Sequence, residues 1–462
     1  MPVSWQNYFD EAHDICPDQD DPGKELDKQD VFRVYLRNFK PPFAPARKLG
    51  SRILNLEQLE TSECDRKTHS QTTTIVTLHG GGYSGLTWAQ FTHFVEKECN
   101  CRILSMDLRG HGDTKTCDDD RMDMDTLVED VAKVVHETHR ICGFSETPRI
   151  VLVGHSMGGA IAVKLSSRCT DLMASLAGFV IIDVVEGTAK EALPLMLSVI
   201  ETRPRKFPTL ANAIEWSFRS GMAKNIEAAR VSMPGNLLNI ESGYLGIHDI
   251  KSSKIDTEEG ASNKIIRHKF HIDSDRLMSP MGSSPPSLSE STMPKCPRVT
   301  ALRHSLPGSQ FPRPSLDESA ESSAKLTSLD HDCGAAPAPG DQESPSATSD
   351  SFKRPQEVDQ TGYCWRTNLA KTQPFWNGWF DGLSQQLLDA PVQGKFLLLA
   401  GIDRLDRTLT IGQMQGKFMM KVLPKCGHAV HEDLPNQVAS VVGQFLVRNK
   451  FATATTVESD SK

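Results

Sequence analysis

The chain has no Cys-x-x-Cys pair, no Asn-x-Ser/Thr acceptor and no apolar run near the roughly 20 residues needed to span a bilayer. Each absence excludes something. Eleven cysteines without Cys/His ligand spacing give no zinc site and read as reduced, mostly buried thiols of an intracellular protein, cytoplasmic or nuclear. Met1–Cys16 lacks the apolar centre of a secretory signal, so neither leader nor membrane anchor is expected. Basic residues form no cluster and the formal charge is −8, which argues against nucleic acid as a partner. Large apolar side chains are scarce in one long stretch. From Ser274 to Pro355 the chain is dense in Ser and Pro, with Ser279-Pro280, Ser284-Pro285-Pro286 and Ser344-Pro345, and poor in aromatics. Such a composition cannot bury a core.

That gap organises the rest. At 462 residues with 38% hydrophobic content, the chain exceeds what a single core of about 250 to 300 residues uses. The expected organisation is one domain with a long insertion: residues 1–251, a disordered Ser/Pro-rich insertion over 252–358, a C-terminal part over 359–451 and a flexible tail over 452–462. The pattern resumes near Tyr363, with Trp365, Phe375, Trp376, Trp379 and Phe380. Replacing Lys254 to Gln356 by a short Gly/Ser linker is therefore expected to cost little. The Ser-Pro pairs are candidate phosphorylation sites, and Lys40–Ser70 is a milder excursion.

Outside these stretches, short apolar runs alternate with helical patterns. Val31–Tyr35 alternates like a half-buried strand. Thr74–Leu78, Arg102–Met106, Ile150–Val153, Phe179–Ile182 and Phe396–Ala400 read as central parallel strands. Thr126–His139 and Ala160–Ser167 read as helices between them. The fold class is α/β, with a mostly parallel sheet flanked by helices and ligands expected beyond the carboxyl ends of the strands.

Ile150-Val-Leu-Val-Gly-His-Ser-Met-Gly-Gly-Ala160 carries G-x-S-x-G directly between a strand run and a helix. A serine hydroxyl needs a tight turn to be exposed to a base, so Ser156 is the candidate nucleophile. His79-Gly-Gly-Gly82 ends the Thr74 strand, where an oxyanion loop belongs. The candidate oxyanion donors are the backbone N–H groups of Met157, Gly81 and Gly82. The same loop also spells G-x-G-x-x-G through Gly80, Gly82 and Gly85, with Asp107 ending the next strand, as a dinucleotide site requires. The hydrolase reading accounts for more, because a dinucleotide fold leaves Ser156 and the C-terminal histidines without a role. His428, after the last strand-like run Phe418–Leu423 and before the helical Asn436–Arg448, sits where the chain order Ser, acid, His puts the general base. His431 is its rival. One turn away it would cap the helix start, with Glu432 and Asp433 favouring its charged form. Asp183 and Asp403 each end a strand and fit the acid's place equally well.

Gly154-His-Ser-Met-Gly-Gly-Ala-Ile-Ala-Val163, Ile182-Asp-Val-Val-Glu-Gly-Thr188, Ala213-Ile-Glu-Trp216, Ala229-Arg-Val-Ser-Met233, Leu409–Phe418 and Cys426-Gly-His-Ala-Val-His-Glu-Asp433 together resemble the protein phosphatase methylesterase family. The likeness runs from Trp5 and Tyr8 to about Phe451 and fails only in the two inserted stretches. It implies an α/β-hydrolase that removes the methyl ester from the C-terminal leucine carboxylate of the type 2A protein phosphatase catalytic subunit, its substrate and partner, without metal or organic cofactor. It also implies that inactive phosphatase is held, and it makes Asp183 the acid and demotes Asp403. A general small-molecule carboxylesterase and a phosphatase-binding module with an idle triad are the alternatives. Lid helices are expected between Gly187 and Gly246, at Ala211–Phe218 and Asn225–Val231, with Trp216 packing inward and Phe218 beside it.

Overall fold

The computed structural model describes residues 1–17, 29–39, 72–144, 148–168, 171–250, 267–272 and 361–455. Lys40–Ser70, and the 252–358 stretch apart from residues 267–272, lie outside them. Contacts group every described residue in one unit.

Eight strands build the central sheet: β1 Glu11–Ile15, β2 Phe32–Arg37, β3 Thr74–Leu78, β4 Arg102–Met106, β5 Ile150–His155, β6 Leu176–Ile182, β7 Gly394–Leu399 and β8 Met419–Val422. Their spatial order is β1-β2-β4-β3-β5-β6-β7-β8. The β1–β2 and β2–β4 pairs are antiparallel and the rest parallel. The β-branched runs of β3, β5 and β6 are buried at every position, because helices cover both faces of the sheet. Leu127, Val131, Ile161 and Leu397 pack on one face, and Trp88, Phe91, Val442 and Phe445 on the other. Asp123 starts the helix Met124–Ile141 by accepting the Thr126 amide at 2.9 Å, and its Val- and Leu-rich stripe faces the sheet.

Two expectations are corrected. The Val31–Tyr35 run is not half-buried: β2 is covered on both faces, and Arg33 is accommodated there by Asp14 at 2.8 Å and Asp113 at 2.7 Å. The tail does not begin free at 452, since Thr453–Ala454 pairs antiparallel with Cys99–Asn100.

Above the carboxyl ends of the strands lie helices Glu186–Glu201, Leu210–Arg219 and Ile226–Ser232. The last is capped by Asn225, which accepts from the Glu227 and Ala228 amides. A small sheet stitches this layer to the returning chain, because Tyr363–Trp365 pairs with both Lys206–Phe207 and Leu237–Asn239. Trp216 packs as expected, its ring 5.6 Å from Phe207 and 5.7 Å from Trp365, while Phe218 is 46% exposed. Inside the stretch expected to bury nothing, Phe270 is buried. Its amide donates to Gly243 and its ring lies 3.9 Å from the Arg366 guanidinium. Among the described residues no helix is long and apolar enough to cross a membrane.

Candidate active site

Register brings the candidate residues to neighbouring strand ends. Leu78 pairs with Gly154, His155 with Ile182, Ile182 with Leu398, and Leu399 with Val422. The oxyanion loop, the serine turn, the two acids and the histidine loop therefore emerge along one edge.

Ser156 links β5 to the helix Met157–Ser166 with φ 51° and ψ −118°, a conformation that costs a serine roughly 1–3 kcal/mol. The packing around it enforces the turn. A Cβ on Gly154 would fall 2.3 Å from the Gly158 carbonyl oxygen, and one on Gly158 would fall 2.2 Å from that of Leu78. Only glycines allow strand and helix to approach so closely. Ser156 stays half-buried, with its amide donating to the Ile182 carbonyl at 3.1 Å.

Asp183 follows directly, its carboxylate fully buried and its own φ at 53°. Its Oδ1 accepts the Ala400 amide at 3.0 Å and its Oδ2 accepts His428 Nδ1 at 2.9 Å. A carboxylate acceptor places the proton on Nδ1 and leaves Nε2 as the basic nitrogen. Asp403, one strand further, is exposed; of the two candidate acids it is Asp183 that touches His428.

His428 sits on the loop after β8 with its side chain 49% exposed. The loop is anchored from below, because the His155 Nε2–H donates to the His428 carbonyl at 2.9 Å. His155 is buried, and burial holds its imidazole neutral, well below its ordinary titration range. Among the described residues Ser156 Oγ has no hydrogen bond, so the His–Asp link is made while the Ser–His link stands open. Such bonds commonly tighten only when a substrate fills the site.

His431 is a structural residue here. It stacks on Trp88 at 4.2 Å, donates from Nε2 to Thr87 Oγ1 at 2.9 Å, and burial pushes its pKa down to about 3. Glu432 and Asp433 do not favour its charged form. Desolvation dominates at His431, with His428 and His79 pushing the same way, and desolvation also pushes Glu432 up to about 7 while Glu432 accepts from Thr87 at 2.7 Å.

The oxyanion loop is held by two more buried, neutral histidines. His79 donates from Nδ1 to the Gly80 carbonyl at 2.8 Å and accepts the Leu108 amide on Nε2 at 2.9 Å. His111 donates from Nδ1 to the Arg109 carbonyl at 2.8 Å and accepts the Gly82 amide on Nε2 at 2.9 Å; burial lowers its pKa to about 4. The Gly82 amide is thus committed to His111. Gly81 and Met157 remain as candidate oxyanion donors. Asp107, read in the dinucleotide pattern as a ribose ligand, is buried and occupied, accepting the Gly85 amide at 2.6 Å and the Asp113 amide at 2.8 Å. It ties the loop to its neighbour. Sequence reasoning missed His155 and His111, although both stand inside legible motifs, Gly154-His-Ser and Arg109-Gly-His-Gly112.

An α/β-hydrolase family model matches residues 75–244. The chain is 36% identical over 451 residues to protein phosphatase methylesterase 1 of Bos taurus, across 98% of this chain and 87% of that one. This chain belongs to the protein phosphatase methylesterase family. Identity to the probable protein phosphatase methylesterase 1 of Caenorhabditis elegans is 30% over 450 residues, covering 97% and 78% of the two chains. Among solved structures, E-2-(acetamidomethylene)succinate hydrolase aligns over 94% of this methylesterase-family chain and 98% of its own, at 11% identity and a TM-score of 0.49.

Proposed function

We propose that the chain is a serine esterase that removes the methyl ester from the C-terminal leucine carboxylate of the type 2A protein phosphatase catalytic subunit, releasing methanol. The observation that carries the reading is the His428–Asp183 hydrogen bond at 2.9 Å, beside the strained serine turn, in a chain of this family. Ser156 Oγ attacks the ester carbonyl as His428 Nε2 takes its proton. The Gly81 and Met157 amides hold the tetrahedral oxyanion, and methoxide leaves as methanol with the proton from His428. Water, deprotonated by the same nitrogen, then hydrolyses the acyl-enzyme to the free leucine carboxylate. Asp183 keeps the imidazole in its productive tautomer and balances the imidazolium without taking the proton. No step calls for a metal or an organic cofactor.

Incubation with carboxymethylated phosphatase, followed by the mass of the C-terminal peptide, tests the proposal. Loss of the methyl group with wild-type protein and its retention with Ser156→Ala is expected. Retention with wild type, alongside fast turnover of short acyl esters, would make the protein a general carboxylesterase. A folded protein whose Ser156 ignores a fluorophosphonate would be a binding module.

A further inference from the structure

Asp183 Oδ2 has two partners. His428 Nδ1 donates to it at 2.9 Å, and Arg404 Nη1 donates to the same oxygen at 2.6 Å. Arg404 lies on the single turn Ile402–Arg404 after β7, with its carbonyl accepting weakly from Thr188 at 3.4 Å and its side chain 33% exposed. The acid of a Ser-His-Asp set holds the imidazole in its tautomer and stabilises the imidazolium with its negative charge. Here part of that charge is already balanced by a guanidinium on the oxygen that faces the base.

We infer that Arg404 is a positioning residue that sets the pH at which His428 acts as a base, by sharing the Asp183 carboxylate with it. The inference rests on the esterase reading above. The other titratable groups around His428 do not compete for this carboxylate. His155 lies 4.6 Å from the His428 and His431 rings, and burial keeps His155 and His431 neutral. The Cys426 thiol is pushed up to about 11 and donates to Leu423. Asp433 accepts the Gly427 and Lys224 amides, and the Lys224 ammonium faces the Lys425 carbonyl at 3.5 Å. Among the described residues, Arg404 is the cation that touches Asp183. By holding part of the Asp183 charge, and as a like charge to the imidazolium itself, Arg404 disfavours protonation of His428; its partial exposure screens the effect.

The test is the pH profile of kcat/KM for wild type, Arg404→Gln and Arg404→Lys on methylated phosphatase, each normalised to its own plateau. Arg404→Gln is expected to shift the acid limb upward by at least about half a unit, so that relative activity on that limb drops about threefold at a fixed pH. Arg404→Lys, which keeps the charge, is expected to return the limb toward wild type. A limb that stays put or moves down in Arg404→Gln overturns the inference, as does a plateau loss shared by both variants with unmoved limbs, the mark of a structural role. The labelling rate of Ser156 by a fluorophosphonate is followed over the same pH range, since it reports the base without the natural substrate. If wild type labels but leaves the phosphatase ester intact, the substrate reading fails while the labelling profiles still decide the role of Arg404; a wild type that does not label overturns both.

Discussion

The two sides of the candidate site are built on opposite terms. On the oxyanion side, His79 and His111 are buried and neutral, and each has its tautomer fixed by one backbone acceptor and one backbone donor. Asp107 is likewise saturated by backbone amides. On the base side, His428 is half-exposed, Ser156 has no side-chain hydrogen bond among the described residues, and the Asp183 carboxylate is divided between His428 and Arg404. The difference is physically sensible. An oxyanion site is effective when its dipoles need no reorganisation at the moment of reaction, whereas a base must move a proton twice and tolerates a looser resting geometry.

The largest break in this comparison is Ser156→Ala. It is expected to lower ester turnover by more than about a hundredfold, with circular dichroism unchanged because a single hydroxyl at a turn is removed. Residual turnover above about a hundredth would move the nucleophile elsewhere. Next, Asp183→Asn is expected to cost on the order of 10⁴ in kcat by leaving His428 in the wrong tautomer, and Asp403→Asn about threefold or less, as for an exposed side chain away from the base. Equal losses would return the acid to the strand end of β7. On the rigid side, His111→Phe frees the Gly82 amide inside the protein, and leaving a buried donor unpaired costs about 1–3 kcal/mol. A fall in melting temperature together with kcat is expected; loss of neither would mean that the loop does not rely on this histidine.

The same contrast predicts a pH dependence of stability. His111 with a pKa near 4, His139 and His431 near 3, and His79 and His155 held well below their usual range stay neutral in the fold but take up protons when unfolded below about pH 6.5. Each therefore contributes stability that is present above pH 6.5 and is lost as pH falls toward its folded value, at up to about 1.4 kcal/mol per pH unit. Asp107 and Glu432, both raised to about 7, act in the opposite sense, since the fold takes up their protons first. Asp130 and Asp433 are raised too, but His13, His93 and His268 are also lowered, so among the described residues the histidines outnumber the raised carboxyls. Melting temperature is expected to decline from pH 6.5 to pH 5, and a flat or rising profile would contradict the assignment. The smallest effect concerns the insertion. Phe270 packs into the lid, so the segment to replace by a Gly/Ser linker is 273–358, with turnover expected within about threefold of the full chain. Extending the replacement back through Phe270 is expected to lower thermal stability measurably, as for other buried aromatics.

The strands, the serine turn and the histidine loop were legible because their signals are local: continuous β-branched runs, two glycines around Ser156, and a Gly-His pair after the last strand. What was not legible depends on partners far apart in the chain. Asp183 and Asp403 end adjacent strands and look alike in sequence; they differ only because His428 and Arg404 both turn back onto the first. Gly82 reads as an oxyanion donor until His111 is seen to hold its amide, and Val31–Tyr35 reads as half-exposed until Asp14 and Asp113 enclose Arg33. Phe270 stands in Arg267-His-Lys-Phe-His-Ile272, just ahead of the Ser/Pro-dense run, and is lost when the insertion is drawn from 252 onward.

The most direct test of cleavage at the acyl–oxygen bond, on which the esterase account turns, is demethylation in water enriched in ¹⁸O, with both products weighed. The account predicts one ¹⁸O in the leucine carboxylate and none in the methanol, because water attacks the acyl carbon of the Ser156 ester. Label in the methanol, with an unlabelled carboxylate, would contradict it.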